Sequence, residues 1–233
     1  MSQIQFELCA ASIEAIDLAK KYNFARIELC QNLEQGGLTP SAGLVHAALE
    51  AQVETHVLIR PRAGGFFYND RELAQIQWDI DFAASAGVKG VVVGILQENF
   101  DIDKVVLKQL IQSQPKLDWT FHRAFDESID WKRSLEVLIN LGFKRVLTSG
   151  FAKNVEQGME NLAQMSAYAT GKIEIMAGGG VHAGNFQKLT EIPQLSGIHF
   201  SATQKVLLDE DSAFSETILK VDERKLQRIL AAK

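Results

Sequence analysis

Short apolar runs alternate with longer amphipathic segments along the whole chain. Strand-like runs lie near residues 4–9, 25–30, 54–60, 88–95, 118–122, 144–148, 172–177 and 196–201. Segments with helical spacing of apolar positions fall near 12–22, 41–51, 70–86, 103–113, 130–141, 154–168, 182–189 and 222–231. Strands that are each reached through a helix pair in parallel. Eight such units in series close most naturally into a (β/α)8 TIM-type barrel, here an α/β single domain over residues 1–233. An open doubly wound sheet is the alternative.

The punctuation agrees with these periods. Asn23, Gly87 and Gly142 stand where the first, third and fifth helices should stop, and each tolerates the left-handed stop conformation. Thr39-Pro40 reads as a cap followed by a proline in the first turn of the second helix. Asp70 is placed to cap the third helix. The one long irregular stretch, about 202–221, falls between the last strand and the last helix, over the C-terminal face of the barrel.

Strand side chains alternate between faces, so each strand has an apolar parity and a remaining one. The apolar parity, expected to meet the helices, holds Phe6, Leu8, Ile27, Leu29, Val57, Ile59, Trp119, Phe121, Ile173, Ile175, Ile198 and Phe200. The other parity holds Glu7, Cys9, Arg26, Glu28, Cys30, His56, Arg60, His122, Arg145, Ser149, Glu174, His199 and Ser201. Barrel interiors are usually filled by Val, Ile and Leu. A lumen with this much charge must pair it. Residues early in the strands (Arg26, His56, Arg145, Glu174) suit such pairing. Those late in the strands face the mouth, where barrel enzymes keep their chemistry.

Composition narrows the function classes. The chain is 46% hydrophobic and 23% charged, which is ordinary for a folded globular protein. A net charge of −5 without a Lys/Arg cluster gives no expectation of a nucleic-acid partner. No run approaches 18 apolar residues, and the N-terminal residues do not read as a secretion signal. No membrane partner is expected, and a cytoplasmic location is. Two cysteines do not make a disulfide framework.

Two sets of mouth residues carry chemistry. Arg60, Arg62, Arg123, Ser149, Gly178, Gly179, His199 and Ser201 are candidates to hold an anion. The run Gly178-Gly179-Gly180 sits after the seventh strand, where barrels often bind phosphate with backbone amides and a helix N-terminus. Glu7, Glu28 and His122 are candidates for acid–base catalysis. Together they describe an enzyme acting on a small phosphorylated or otherwise anionic metabolite, with no nucleotide or organic cofactor. No lysine ends a strand, which argues against Schiff-base chemistry. Cys9 and Cys30 end adjacent strands with the same parity, and neighbouring strands lie about 4.8 Å apart. Two thiolates that close suit a soft ion such as Cu(I). Small, buried apolar residues are the other reading.

The chain resembles the CutC family. The resemblance runs from Phe6-Glu7-Leu8-Cys9 and Arg26-Ile27-Glu28-Leu29-Cys30 through Gly36-Gly37-Leu38-Thr39-Pro40-Ser41, Ile59-Arg60-Pro61-Arg62 and Thr120-Phe121-His122-Arg123-Ala124-Phe125-Asp126. It continues through Arg145-Val146-Leu147-Thr148-Ser149-Gly150 and Ile175-Met176-Ala177-Gly178-Gly179-Gly180-Val181 to His199-Phe200-Ser201-Ala202. It implies a TIM-type barrel, a cytoplasmic protein that self-associates into a homo-oligomer, and a role in copper homeostasis. Cys9 and Cys30 match the family's strand-end cysteines and are its natural Cu(I) ligands, so a copper ion is an expected partner.

Overall fold

The first strand, β1 (Gln5–Ala10), pairs in parallel with β2 (Arg26–Leu29), and helix α1 (Ile13–Lys21) carries the chain between them. The unit repeats with α2 (Ala42–Glu50), β3 (Thr55–Leu58), α3 (Asp70–Ala86), β4 (Gly90–Val93), α4 (Lys104–Ser113) and β5 (Asp118–Phe121). It continues with α5 (Trp131–Leu141), β6 (Arg145–Thr148), α6 (Met159–Ala169), β7 (Glu174–Gly178), α7 (Ala183–Thr190), β8 (Gly197–Phe200) and α8 (Glu223–Ala231). β8 returns to pair with β1 and closes a parallel (β/α)8 barrel. This computed structural model describes residues 4–208 and 216–232.

Strand alternation sorts the side chains into two layers. Leu8, Ile27, Leu29, Val57, Ile59, Trp119, Phe121, Ile175, Ile198 and Phe200 are buried in one cluster with helix residues such as Ile16, Ile76, Leu107, Leu135 and Leu162. Each such side chain contributes about 1.5–3 kcal/mol of transfer free energy, so this outer layer supplies most of the fold's driving force. Inside the barrel, Cys9, Cys30, Leu58 and Val92 form a separate small cluster. Deeper in the lumen, charged side chains pair. Arg26 meets the Glu7 carboxylate, and Arg145 meets Glu174 at 3.0 Å and Nδ1 of His56 at 3.3 Å.

Helix termini differ in detail from the sequence reading. Asn23, Gly87 and Gly142 are the expected left-handed stops. The cap of α2 is Ser41, whose hydroxyl accepts from Leu44 N, whereas Thr39 Oγ1 accepts from Arg60 N and so ties two loops together. The cap of α3 is Asn69, in a reciprocal box with Glu72, and Asp70 is the first helical residue. Helix α6 begins at Met159, because 154–158 form the turn that carries the chain out of the barrel mouth.

Most of the described residues of the stretch after β8 are strand rather than irregular. Strands β9 (Thr203–Leu208) and β10 (Glu216–Val221) form an antiparallel hairpin; residues 209–215 lie outside the described residues. The backbone N–H of Leu219 donates to the Glu34 carboxylate in the 3₁₀ turn Leu33–Gln35 that follows β2. The hairpin therefore stands beside the mouth. Among the described residues no helix is long and apolar enough to cross a membrane.

Candidate functional site

The C-terminal strand ends open into a cavity of about 960 Å³, lined by Cys9, Glu28, Arg60, His122, Arg123, Gly179, His199 and Ser201 among others. Strands β1, β2 and β8 contribute Cys9, Glu28 and His199 to its floor, beside Leu58 of β3 and Leu147 of β6. Register places Glu7 beside both Arg26 and His199, and Cys9 beside Glu28.

The two thiols meet on this floor. Cys9 Sγ lies 3.6 Å from Cys30 Sγ and 3.8 Å from Glu28 Oε1. Cys30 is fully enclosed, and Cys9 reaches the cavity. The hydrogen bond with Cys30, burial and nearby negative charge push the Cys9 thiol well above its ordinary pKa. Cys9 therefore holds its proton until something displaces it. Ligand atoms of Cys9, Glu28 and His199 all lie within 4.8 Å of one another.

Glu7 and His199 form a fixed ion pair. His199 Nδ1 stands 2.7 Å from Glu7 Oε1, and Arg26 binds the other carboxylate oxygen. Burial opposes the Glu7 charge, but His199 and Arg26 outweigh it and lower its pKa to about 2. Burial likewise opposes the His199 charge, and Glu28, Cys9 and Glu7 outweigh it and raise that pKa well above the usual value. Glu7 is 1% exposed and does not line the cavity. Its sequence reading as an acid–base group gives way to a positioning one: both oxygens are engaged, and parity revealed its direction but not its depth.

Glu28 differs. It is buried but lines the cavity, and its Oε2 has no partner. Burial and the Glu7 charge raise its pKa to about 7, against the pull of His199 and Cys9. Two neighbouring carboxyls are thus held in different protonation states near neutrality.

His122 is a neutral donor rather than an acid–base group. Its Nδ1 accepts the Ala124 N–H at 3.0 Å, so the ring proton resides on Nε2, which has no partner. Burial and the positive charge of Arg60 lower its pKa to about 3. The ring rests against Phe66 and fills space over Gly94, where a Cβ would come within 2.2 Å of it.

The anion candidates divide. Arg60 lines the cavity, with its Nη atoms donating to the carbonyls of Gln35, Gly37 and Gly64. Arg123 pairs with Asp126 at 2.9 Å and lies against Gly179, where φ is +104° and a Cβ would press on the guanidinium at 2.9 Å. Only a glycine lets the arginine settle there. Ser201 lines the cavity and shares a hydrogen bond with Thr203.

Three other candidates do not reach the cavity. Arg62 binds Glu72 and the carbonyls of Gly65 and Phe67. The Ser149 hydroxyl is buried among Arg123, Asp126 and the Ala152 carbonyl. Gly178 is packed against Leu147 and His199. The N-terminus of α7 is also closed by its own side chains: His182 Nδ1 accepts from Gly184 N, and Asn185 Oδ1 accepts from His182 N. It is not the open phosphate cradle expected from the glycine run.

Sequence reasoning missed Lys153 and Lys225, which both line the cavity. Neither sits at a strand end. Lys153 arrives on the β6–α6 connection and Lys225 in the first turn of α8, where its Nζ donates to the Thr203 carbonyl at 2.8 Å. Asp126 was legible only as part of a motif. It accepts from Thr148, Ser149 and Phe151 N and so anchors the β6 loop.

Comparison with known proteins gives a consistent result. The CutC family model matches residues 4–204, ending where the hairpin begins. A CutC family protein of Vibrio cholerae is 42% identical over 201 residues, covering 85% of this chain and 79% of its own. One from Bacteroides thetaiotaomicron is 38% identical over 211 residues, covering 90% and 85%. A crystal structure of the CutC protein of Streptococcus agalactiae, named for copper homeostasis, superposes with a TM-score of 0.79 at 36% identity, covering 84% of this chain and 97% of its own.

Proposed function

The chain belongs to the CutC family, and from that premise we propose that it takes part in copper homeostasis by binding Cu(I) as cargo on the floor of the barrel mouth. The observation that carries this reading is the 3.6 Å separation of Cys9 and Cys30 sulfurs. At about 2.3 Å per metal–sulfur bond, that separation corresponds to an S–metal–S angle of roughly 100°. A soft monovalent ion favours such a pair of thiolates. His199 stands beside them with its Nδ1 held by Glu7, which leaves Nε2 as the nitrogen that can bind the ion once it gives up its proton. A carboxylate behind the histidine fixes the ring and its tautomer, as in many metal sites. The enclosed position of Cys30 keeps bulk oxidants away, and Cys9 provides access from the cavity.

Binding requires that the thiols lose their protons, so it is coupled to proton release. A competition titration with a colorimetric Cu(I) chelator tests the proposal. The wild-type chain should bind one ion, and the Cys9→Ser, Cys30→Ser double variant should lose more than about 100-fold in affinity, because hydroxyls are poor partners for a soft ion. Equal affinity in the double variant overturns it.

A second reading is favoured by a separate observation, the unpartnered Oε2 of Glu28 beside the cavity. A carboxyl with a pKa of about 7 can both accept and return a proton at neutral pH. In this reading Glu28 takes a proton from a carbon next to a carbonyl group. The C–H electron pair becomes a carbon–carbon double bond, and the carbonyl π pair moves to its oxygen, which takes up the proton given up by the neighbouring hydroxyl; Glu28 then returns its proton to the neighbouring carbon as that hydroxyl oxygen becomes the new carbonyl. The test is deuterium uptake from D2O into three- to six-carbon hydroxycarbonyl compounds, followed by proton NMR. Uptake that Glu28→Gln abolishes supports it, and no uptake in any compound overturns it.

A further inference from the structure

The described residues contain a telling contrast among buried arginines. Arg26 faces Glu7, and Arg145 faces Glu174. Arg60, only 7% exposed, meets no carboxylate within 4 Å among the described residues. Its Nη atoms donate to three carbonyl oxygens, and its Nε has no partner. Carbonyls orient a guanidinium but do not neutralise it, and an uncompensated buried charge is strongly unfavourable.

Other groups on the same cavity point the same way. His122 offers a buried Nε2–H without a partner, on a ring whose tautomer is fixed by the Ala124 amide. Arg123, Lys153 and Lys225 add positive charge. The carboxylates on the lining besides Glu28 are Asp126, already saturated by donors, and Glu127. The cavity, at about 960 Å³, is also far larger than a metal ion needs and is of the size that takes small organic molecules.

We propose that the mouth is a binding site for a small organic anion, its phosphate or carboxylate headgroup held by Arg60 and the His122 Nε2–H, with Lys153 and Lys225 closing over it from the rim. The two headgroups share the chemistry that these donors recognise: a compact oxyanion meeting a fixed guanidinium and a neutral N–H. This goes beyond metal capture and does not depend on it, since neither cysteine takes part. The hairpin is anchored at Glu34, and its Thr203 carbonyl holds Lys225 at the rim.

The test is calorimetric titration of the full chain, kept metal-free with a Cu(I) chelator, using inorganic phosphate, malonate and 2-phosphoglycolate as separate probes. At least one probe should bind saturably below about 10 mM. Its affinity should fall at least about tenfold in Arg60→Met and in the Lys153→Ala, Lys225→Ala double variant, and should weaken as NaCl is raised. Which probe binds identifies the headgroup. The Cys9→Ser, Cys30→Ser variant should bind the probe as wild type does, which separates this outcome from that of the copper titration. Arg60 also braces two loops, so the double lysine variant, which leaves that bracing intact, is the decisive one where Arg60→Met fails to fold. Absence of binding by all three probes, or undiminished affinity in the lysine variant, overturns the proposal.

Discussion

Nδ1 of His199 stands 2.7 Å from Oε1 of Glu7, and this bond joins the charge network of the lumen to the chemistry of the mouth. Glu7 is held on its other side by Arg26. The triad crosses three neighbouring strands, β8, β1 and β2, and fixes the ring that faces Cys9 and Glu28. Removing one partner of such a buried set leaves the others uncompensated. Glu7→Gln should therefore destabilise the fold by about 3–5 kcal/mol. Thermal unfolding should show a fall in Tm of roughly 6–20 °C at this chain length. A change of only a degree or so contradicts the structural role assigned to Glu7.

The pH dependence of stability has contributions of opposite sign. Glu7 has a folded pKa lowered to about 2, so its stabilisation is complete above its ordinary value of 4.5 and is lost as pH falls through about 2. His199 has a raised folded pKa, so its contribution is complete below 6.5 and is lost as pH rises through the folded value. Glu28 is raised from 4.5 to about 7. Between those values the unfolded chain gives up its proton and the folded chain keeps it, so this contribution declines as pH rises from 4.5 to 7. Because the neutral buried His56 and His122 add stability as pH rises toward 6.5, the difference between wild-type and Glu28→Gln denaturant midpoints is the quantity to follow, and it should decline from pH 5 to 7 and level off by pH 8. A difference that stays constant from pH 5 to 8 would show that Glu28 titrates normally.

How much of this was legible beforehand depends on what a linear pattern carries. Alternation assigned Leu8 and Ile27 to the helix layer and Cys9 and Glu28 to the lumen, because a strand has only two faces. It did not reveal depth. Glu7 and Cys9 share a face, yet register buries Glu7 under His199 and Arg26 while Cys9 reaches the cavity. Ser149 and Arg62 looked as available as Arg60 until tertiary partners, Asp126 and Glu72, claimed them. The β9–β10 hairpin escaped notice because Thr203-Gln204-Lys205-Val206-Leu207-Leu208 lacks a clean apolar alternation. Lys225 was invisible for a related reason: its helix was expected near 222–231, but it is the hairpin that returns the first turn of α8 to Ala202 and Thr203 at the mouth.

His122 should remain neutral over the whole working range. With burial and Arg60 holding its pKa near 3, its ring signals should not move between pH 5 and 9 in a two-dimensional ¹H–¹⁵N spectrum. The pattern should be that of the Nε2–H tautomer, since Nδ1 accepts from Ala124 N. A titration midpoint between 6 and 7 contradicts this assignment.

Gly94 makes room for that ring. A Cβ there would lie 2.2 Å from His122 Cε1 and 2.8 Å from Ala124 Cβ, inside the packed mouth. Gly94→Ala should cost about 1–3 kcal/mol through overpacking. It should also displace the imidazole and broaden the His122 signals. Wild-type stability in this variant would mean that the ring is not seated over Gly94.

Proton release accompanies metal capture if the thiols are protonated beforehand. The raised pKa of Cys9 makes its thiol the resting form at neutral pH. Calorimetric Cu(I) titrations in buffers of different ionisation enthalpy should report about two to three protons released per ion, from the thiols and from His199, and apparent affinity should rise with pH. Binding without proton release contradicts the thiol assignment.

If Cys9 and Cys30 together hold the ion, X-ray absorption at the copper edge, on the wild-type chain loaded with one equivalent of Cu(I), should show two sulfur scatterers in the first coordination sphere, accompanied by a light scatterer from His199. The sulfur scatterers should be lost in the Cys9→Ser, Cys30→Ser variant. A sphere of nitrogen and oxygen alone in the wild-type chain would show that the cysteines do not hold it.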